Sequence, residues 1–260
     1  MSVYTHGHHE SVLRAHRWRT AENSAAYLLP HLRPGLALLD VGCGPGNITA
    51  DFGPRLAPGR VLGIDAAPDV IVAARRDHPS VEFATGDVYH LDVADASWDV
   101  VHAHQVLQHL ADPVAALREM RRVVKPGGIV AVRESDYAAF SWYPRDPRLD
   151  RWLTLYQQIA RANGGEPDAG RHLLSWAQRA GFDTIASSAS AWCFATPADR
   201  AWLGETWAER MTVSAIAKQA MHQGRATADE LADLADAWRT WSRATDGWLA
   251  VLHGEIICSR

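Results

Sequence analysis

Short apolar runs alternate with amphipathic segments through the first half of the chain. The segments NITADFGPRLA, PDVIVAARRDH and DPVAALREMRRVV carry apolar residues at helical spacing. Around them lie five compact runs rich in leucine or β-branched residues: ALLDV (37–41), RVLGID (60–65), VEFAT (81–85), WDVVHA (98–103) and GIVAVRE (128–134). Strands that alternate with helices predict βαβ units with right-handed crossovers. The predicted fold class is therefore α/β, with a doubly wound, mostly parallel sheet.

The second half is predicted to be mainly helical. DPRLDRWLTLYQQIARANG and HLLSWAQRAGF are each typical of a helix that ends at glycine, and 198–244 carries two further helical patterns. TIASSASAWCFA and WLAVLHGEIICS are strand candidates on either side of these two patterns. Since no repeat or flexible linker divides the chain, we predict a single domain over 1–260 with three parts: a helical arm (1–34), a core (35–135), and a segment of lid helices with the last two strands (136–260).

Composition narrows the class of protein. Hydrophobic residues make up 47% and charged residues 22% of the chain, which excludes intrinsic disorder. The net charge of −4 argues against nucleic acid as a partner. Cys43, Cys193 and Cys258 form no CxxC pair, so neither a disulfide framework nor a thiolate zinc site is expected. A polar N-terminus and the lack of a long apolar run predict a cytoplasmic protein with no membrane partner, and a homodimer stays open.

The most informative segment is LLDVGCGPGNIT, in which an apolar strand leads into a glycine-rich loop and then a helix. Its pattern is D-x-G-x-G-x-G, formed by Asp40, Gly42, Gly44 and Gly46. Glycine lets a ligand approach the backbone, and ligands of open α/β sheets bind at the carboxyl ends of strands. A dinucleotide fingerprint would require glycine where Asn47 stands, and no Gly-Lys-Ser/Thr of a P-loop follows. A nucleotide or nucleoside site is predicted, with a tight turn that binds nothing as the alternative.

Two further acidic positions follow predicted strands at the same edge of the sheet. Asp65 ends RVLGID, where a carboxylate can accept hydrogen bonds from both hydroxyls of a ribose. Asp87 and Val88 follow VEFAT and Gly86. We expect both residues to contact a nucleoside bound at this edge. The alternatives are a turn-forming Asp87 and a core Val88.

These landmarks resemble those of the class I S-adenosylmethionine-dependent methyltransferases, whose first motif runs acid-x-Gly-x-Gly-x-Gly after strand one. The segment WDVVHAHQVLQHLADPVAALREMRRVVKPGG at 98–128 resembles the ubiquinone/menaquinone-biosynthesis type (methyltransferase type 11) of small-molecule enzymes. The resemblance covers 36–134 and implies a Rossmann-like sheet with helical lid insertions. It also implies S-adenosyl-L-methionine as the cofactor.

The resemblance implies residue roles at the positions that match. His104 and Gln105, just beyond strand four, would lie under the sulfonium and the methionine part of the cofactor. His109 would pack near the substrate as a catalytic candidate, and Asp40 would organise the glycine loop. The remaining cofactor contacts that the resemblance implies are Gly42, Gly44 and Gly46 for the methionine part, Asp65 and Ala66 for the ribose, and Asp87 and Val88 for the adenine.

Histidines and aromatic residues outside these motifs allow two interpretations each. HGHH at 6–9 could chelate a metal ion, but a solvated tail is favoured and no metal is predicted. His102 alternates with His104 on one strand face and fits a core residue. Trp142 and Tyr143 follow strand five, where they are expected to line the substrate site; packing of the added helices is the alternative.

The predicted function is S-adenosylmethionine-dependent transfer of a methyl group to a carbon, oxygen or nitrogen atom of a small-molecule acceptor, by in-line displacement. A nicotinamide-dependent oxidoreductase is one alternative, disfavoured by Asn47 and by the absence of a Tyr-x-x-x-Lys pair. A non-catalytic, methyltransferase-like binding protein is another. Amino-methylating DNA enzymes would carry Asn/Asp-Pro-Pro-aromatic where His104-Gln105-Val106-Leu107 stands, so nucleic acid is disfavoured as the substrate.

Overall fold

The computed structural model describes residues 16–260, so the HGHH motif lies outside the described residues. Within that range eight strands form one sheet. They are β1 (Leu38–Val41), β2 (Val61–Asp65), β3 (Glu82–Thr85), β4 (Trp98–His104), β5 (Val124–Ser135), β6 (Ser141–Tyr143), β7 (Thr184–Phe194) and β8 (Trp248–Ser259). All seven predicted strands are present, and β6 is an addition that the sequence pattern did not predict.

The order of strands places a crevice beside β1. Neighbouring strands run β3-β2-β1-β4-β5-β8, with β7 on the far side of β8 and β6 paired with the beginning of β8. β1 to β5 pair in parallel, whereas β8 is antiparallel to β5, β6 and β7. The predicted α/β fold is confirmed. Because successive strands are added on opposite sides of β1, the carboxyl ends of β1 and β4 border the point where such sheets bind ligands.

Nine helices lie wholly within the described residues. They are α1 (Ala21–Ser24), α2 (Asn47–Leu56), α3 (Pro68–Asp77), α4 (Pro113–Val123), α5 (Pro147–Ala162), α6 (Leu173–Arg179), α7 (Pro197–Val213), α8 (Ala215–His222) and α9 (Ala228–Arg243). The prediction of two helices in 198–244 is wrong, because Ser214 divides the first of them. Its backbone is extended, and its hydroxyl donates to the Arg210 carbonyl at 2.6 Å and accepts from the Ile216 amide at 3.2 Å.

Capping side chains and proline set where several helices begin. Asp112 accepts a hydrogen bond from the Ala115 amide at 2.9 Å, and Asp146 accepts one from the Arg148 amide at 2.9 Å. Each aspartate directly precedes a proline at the first helical position. The aspartate satisfies an amide that has no partner within the helix, and proline already has helical φ, so α4 and α5 begin where the local sequence directs.

A second hydrophobic core lies beside the sheet. One face of the sheet packs against α4 and α6 through side chains that include Val101 and Val132. The elements β6, α5, α7, α8 and α9, which we call the cap, have a separate core in which the Trp152 ring lies 4.6 Å from Trp207 and 4.7 Å from Trp238. Since β8 runs antiparallel to β5, the beginning of β8 lies at the carboxyl end of β5. Pairing of β6 there brings the cap to the same edge as the glycine loop.

Candidate functional site

The glycine loop leaves β1 at the carboxyl edge of the sheet and leads directly into α2. Gly42, Gly44 and Gly46 have φ values of +70°, +55° and +86°, which residues with a side chain rarely adopt. A Cβ at Gly42 would lie 2.3 Å from the Val106 side chain, and one at Gly46 would lie 2.6 Å from Phe83. Backbone conformation therefore requires all three glycines, and close packing requires two of them as well.

Asp40 is buried beneath this loop and joins three elements. Its Oδ2 accepts a hydrogen bond from Thr49 Oγ1 of α2 at 2.5 Å, and its Oδ1 accepts one from His102 Nδ1 of β4 at 2.7 Å. An ionised carboxylate can only accept, so the His102 proton lies on Nδ1. His102 is fully buried, with its ring edge-on to Phe52 at 5.3 Å. His102 is thus a core residue, and Asp40 anchors the helix that follows the loop.

Asp65 ends β2 and contacts the glycine loop. Its Oδ2 accepts a hydrogen bond from the Gly44 amide at 3.0 Å, and its Oδ1 accepts one from the Ala67 amide at 2.9 Å. Each oxygen keeps a second lone pair, so the carboxylate can still receive two hydroxyl donors. Ala66 beside it is exposed. This geometry allows Asp65 to hold the loop and a diol at the same time.

Asp87 lies just after β3, at the same edge of the sheet. It is exposed, and its Oδ1 accepts a hydrogen bond from the Tyr89 amide at 2.9 Å. Val88 is partly buried and packs against the sheet core. Asp87 therefore forms a turn in this structure and still presents its carboxylate to solvent at the crevice.

The described part of the N-terminal arm lies across this edge. Arg19 Nη2 donates to Gln105 Oε1 at 2.6 Å, and Asn47 Nδ2 donates to the Arg17 carbonyl at 3.4 Å. Arg19 was not predicted as a site residue, because the arm carries no motif. Only its tertiary contact with the loop after β4 brings Arg19 to the site.

His104 is the last residue of β4, and Gln105 follows it directly. His104 is 6% exposed, and neither of its ring nitrogens has a hydrogen-bond partner in the described part of the chain. Burial lowers the pKa of His104 well below its ordinary value, and the charges of Arg19 and Arg133 lower it further. Gln105 Nε2 donates to His253 Nε2 at 2.9 Å. At neutral pH His104 is uncharged, so its ring offers one donor and one acceptor.

His109 ends the short 3₁₀ helix Leu107–His109. Gln108 Nε2 donates to its Nε2 at 3.1 Å. Burial lowers the pKa of His109 to about 3, with a smaller contribution from the charge of Arg19. The imidazole is therefore neutral at pH 7, and because its Nε2 accepts from Gln108, its proton lies on Nδ1.

Glu134 on β5 holds the segment after β4 in place, and it was not predicted from the sequence. Its carboxylate accepts hydrogen bonds from the amides of Val106 at 2.9 Å, Leu107 at 2.7 Å and Gln108 at 3.3 Å. Burial raises the pKa of Glu134 to about 7, although these three amides lower it. Glu134 thus holds the loop that joins His104 to His109.

A buried ion pair on β5 and β8 was also missed. Arg133 Nε lies 3.2 Å from Glu255 Oε1, and both side chains are almost fully buried. Ser188 and Ser190 of β7 donate to the two Glu255 oxygens at 2.8 and 2.5 Å. The sequence showed only that charged residues interrupt two largely apolar strands, which by itself indicates neither a partner nor a site.

Trp142 and Tyr143 lie on β6, within the cap. Trp142 is buried, with its ring edge-on to Trp152 at 6.4 Å. Tyr143 is 55% exposed, and its carbonyl accepts a hydrogen bond from Trp241 Nε1 at 3.1 Å. The position of Trp142 supports the packing alternative, while a substrate role for either residue stays a prediction.

Residues 16–260 contain no cluster of three or more His, Cys, Asp or Glu side chains that could hold a metal ion. In the same range, no helix combines the length and the apolar character that crossing a membrane requires. Cys43, Cys193 and Cys258 are free thiols. Burial raises the pKa of Cys43 well above its ordinary value, so this thiol in the glycine loop stays protonated.

We expect acid to destabilise the fold as the pH falls below about 6.5, the ordinary pKa of histidine. Burial lowers the pKa values of His104, His109 and His253, so below pH 6.5 the unfolded chain binds more protons than the folded one. The free energy of unfolding therefore decreases with falling pH. Between pH 7 and 4.5 Glu134 has the opposite effect on the free energy of unfolding, because its pKa is raised in the folded state. The three histidines together outweigh this single carboxyl group.

Urea unfolding at intervals between pH 7.5 and 5 measures this dependence. The variant His253→Gln should flatten the pH dependence, whereas His222→Asn, at an exposed position, should leave it unchanged. A free energy of unfolding that is constant over this interval would contradict the burial of three neutral histidines.

Comparison with known proteins places the chain in a family. Residues 39–132 match the methyltransferase domain family. A methyltransferase of Schizosaccharomyces pombe is 34% identical over 270 residues, which cover 98% of this chain and 95% of that protein. A protein of Aspergillus luteorubrus that carries the name methyltransferase ltbC is 30% identical over 277 residues, which cover 98% of this chain and 96% of that protein.

The fold is shared with a solved enzyme. Phosphoethanolamine N-methyltransferase 2 of Haemonchus contortus, solved with S-adenosylhomocysteine, superimposes with a TM-score of 0.57 and 17% identity. The match covers 90% of this chain and 52% of that chain, so our chain spans about half of its length. The family match includes the glycine loop, Asp65, Asp87 and all of β4. This chain belongs to the class I S-adenosylmethionine-dependent methyltransferases.

Proposed function

We propose that the chain transfers the methyl group of S-adenosylmethionine to a small-molecule acceptor, with the cofactor bound along the carboxyl ends of β1, β2 and β3. One observation carries this proposal: the Asp65 carboxylate lies at the strand end, bonded to the Gly44 amide at 3.0 Å within a loop of three positive-φ glycines. A loop without Cβ atoms beside a carboxylate suits a nucleoside whose ribose reaches the acid and whose amino-acid part lies on the loop.

The described residues fit that cofactor. Asp65 would receive the ribose hydroxyls, with Ala66 next to it. The exposed carboxylate of Asp87 would receive the adenine amino group, and Val88 would face the ring. The methionine part would lie against Gly42, Gly44 and Gly46, with His104 and Gln105 on the β4 side.

When bound, the cofactor supplies a methyl group already activated on sulfur. The remaining task of the chain is to align the methyl acceptor and to exclude water. The bond between Arg19 and Gln105 closes the arm over the end of β4, which supports a water-poor site. We infer that His109, held neutral by burial, is a hydrogen-bond partner of the methyl acceptor.

The acidic net charge and the position of the cap support a small molecule as the methyl acceptor. The net charge of −4 offers no general attraction for a phosphate backbone. The cap reaches the carboxyl edge through β6, so the exposed side chain of Tyr143 would form a wall on the acceptor side, while Trp142 packs inside the cap.

Cofactor binding by an Asp65 variant tests the proposal. Asp65→Ala is expected to weaken S-adenosylhomocysteine binding by about 1.5–3 kcal/mol, the range for hydrogen bonds that involve a charged group. Because Asp65 also holds the Gly44 and Ala67 amides, some stability should be lost too. Isothermal titration calorimetry measures the affinity, and Asp69→Ala, an exposed acid on α3, is the control of equal charge.

Two results would count against these assignments. Unchanged affinity in folded Asp65→Ala protein would remove Asp65 from the cofactor site. Binding of a nicotinamide dinucleotide by the unmodified protein, without binding of S-adenosylhomocysteine, would overturn the proposed function.

A further inference from the structure

A second buried polar cluster lies where β4, β5 and β8 meet the arm. We call it the arginine–histidine cluster, and it consists of Arg133, His104, His253, Gln105 and Trp192. Arg133, His104 and His253 are 2%, 6% and 0% exposed. The Arg133 guanidinium lies 4.8 Å from the centre of the Trp192 ring, and the His253 ring lies 4.3 Å from it. Since His104 lies 5.7 Å from the same ring, three polar side chains gather around one indole.

The cluster offers more hydrogen-bond donors than acceptors. Among residues 16–260, no hydrogen-bond partner is found for the buried atoms Arg133 Nη1 and His253 Nδ1, or for either ring nitrogen of His104. His253 Nε2 accepts from Gln105, so the His253 proton lies on Nδ1. A neutral His104 adds one donor and one acceptor. Buried polar groups are normally satisfied, so three open donors against one acceptor fit a ligand rich in oxygen lone pairs.

The charges around the cluster sum to a positive value. Arg133 contributes one positive charge, and Arg19 contributes another from 5.7 Å above the same indole ring. Burial lowers the pKa of Arg133 to about 10, so it stays charged at neutral pH. Glu255 contributes one negative charge and is already held by Ser188, Ser190 and Arg133. Glu134, next to Arg133 on β5, offsets only part of the remaining positive charge, because burial raises its pKa to about 7. An anionic ligand would balance the rest.

The cluster is next to the proposed cofactor site. β4 pairs with β1 on one side and with β5 on the other, and the register sets His104 directly beside Arg133. Gln105 bonds both to Arg19 of the arm and to His253 of β8. A ligand in the cluster would therefore be the neighbour of a cofactor on the glycine loop.

We propose that the arginine–histidine cluster binds the methyl acceptor through a carboxylate, so that the substrates are small planar organic acids. This inference rests on the proposed function. The carboxylate oxygens accept hydrogen bonds from Arg133, His253 and His104. The indole of Trp192, which Arg19 and Trp18 of the arm cover in this structure, provides a flat apolar surface for the rest of the molecule once they are displaced. Trp18 of the arm lies 5.1 Å from Trp192, so the acid reaches the cluster when this part of the arm moves aside.

Matched pools of candidate substrates test whether a carboxylate is the group that binds in the cluster, which we call the carboxylate anchor. The full-length protein is incubated with methyl-labelled S-adenosylmethionine and either a pool of aromatic and unsaturated carboxylic acids or a pool of the corresponding amides. We expect labelled products from the acids alone. Equal labelling of the amides, or no product from either pool while S-adenosylhomocysteine binds, would overturn the carboxylate anchor. Failure to bind S-adenosylhomocysteine would instead overturn the proposed function.

Variants of the cluster test the residues. Arg133→Met/Glu255→Met removes both buried charges and keeps side-chain volume, and Arg239→Met/Glu205→Met makes the same change in an exposed ion pair. The KM for an acid that accepts the labelled methyl group should rise about 10- to 150-fold in the first variant. This is the loss of affinity expected when a hydrogen bond to a charged group is removed. It should stay unchanged in the second, and S-adenosylhomocysteine affinity should stay unchanged in both.

A second variant of the cluster tests the proposal without changing the ion pair. His253→Phe retains an aromatic ring without the Nδ1 donor and leaves Arg133 and Glu255 paired. It should also raise the KM for the acid while S-adenosylhomocysteine affinity stays the same. An unchanged KM in both folded cluster variants would overturn the proposal.

Discussion

Replacing Glu255 by methionine is expected to lower the free energy of unfolding by about 3–5 kcal/mol, because Arg133 would remain charged and unpaired in the interior. The two side chains are 5% and 2% exposed, and their charged atoms lie 3.2 Å apart. Ser188 and Ser190 would lose their acceptor in the same variant. Chemical denaturation at pH 7, followed by circular dichroism, measures the change.

Two further variants make that result interpretable. Arg133→Met/Glu255→Met should recover most of the lost stability, since no buried charge is then left alone. Glu205→Met in the exposed pair with Arg239 should change the free energy of unfolding by less than about 1 kcal/mol. A loss below about 1 kcal/mol for Glu255→Met would show that the interior around Arg133 is better solvated than its burial indicates.

Replacing Trp152 by alanine is expected to cost about 3–5 kcal/mol, the range for removing a large aromatic side chain from a packed core. Trp152 is fully buried in the cap and lies edge-on to Trp207 at 4.6 Å and to Trp238 at 4.7 Å. The other indoles cannot fill the space without leaving their own contacts. Urea unfolding measures the loss, with Trp248→Ala as the control because Trp248 is 41% exposed.

Cofactor binding distinguishes a local from a global effect of this change. The glycine loop follows β1, whose side chains pack in core clusters other than that of the cap. Folded Trp152→Ala protein should therefore bind S-adenosylhomocysteine with unchanged affinity. Equal losses of stability in the Trp152 and Trp248 variants would contradict a distinct aromatic core in the cap.

The longer strands could be located from the sequence because their signal is local. The runs predicted at 37–41 and 98–103 agree with β1 and β4 to within one residue. β6 was not predicted, because three residues are too few to show a periodicity. The break at Ser214 escaped because its cause is a hydroxyl bonded to the backbone, which leaves the apolar pattern on both sides intact.

Some residues of the candidate site could also be predicted from local sequence patterns, and others could not. The glycine loop and Asp65 could be identified because each lies in a short contiguous motif after a strand. Arg133 and Glu255 could not, since they are 122 positions apart and meet only because β8 inserts between β5 and β7. Arg19 was missed for a similar reason, as 86 positions separate it from Gln105.

The amino-acid sequence by itself determined the α/β fold and the glycine loop, because apolar periodicity and glycine spacing act over a few residues. The resemblance of its motifs also indicated the family. Only the tertiary structure decided which polar side chains are buried next to one another. The burial of His104, His253 and Arg133 around one indole depends on the antiparallel position of β8 and on the arm that covers it. Burial of a charge or an imidazole is a property of everything packed against it, and no local pattern carries that information.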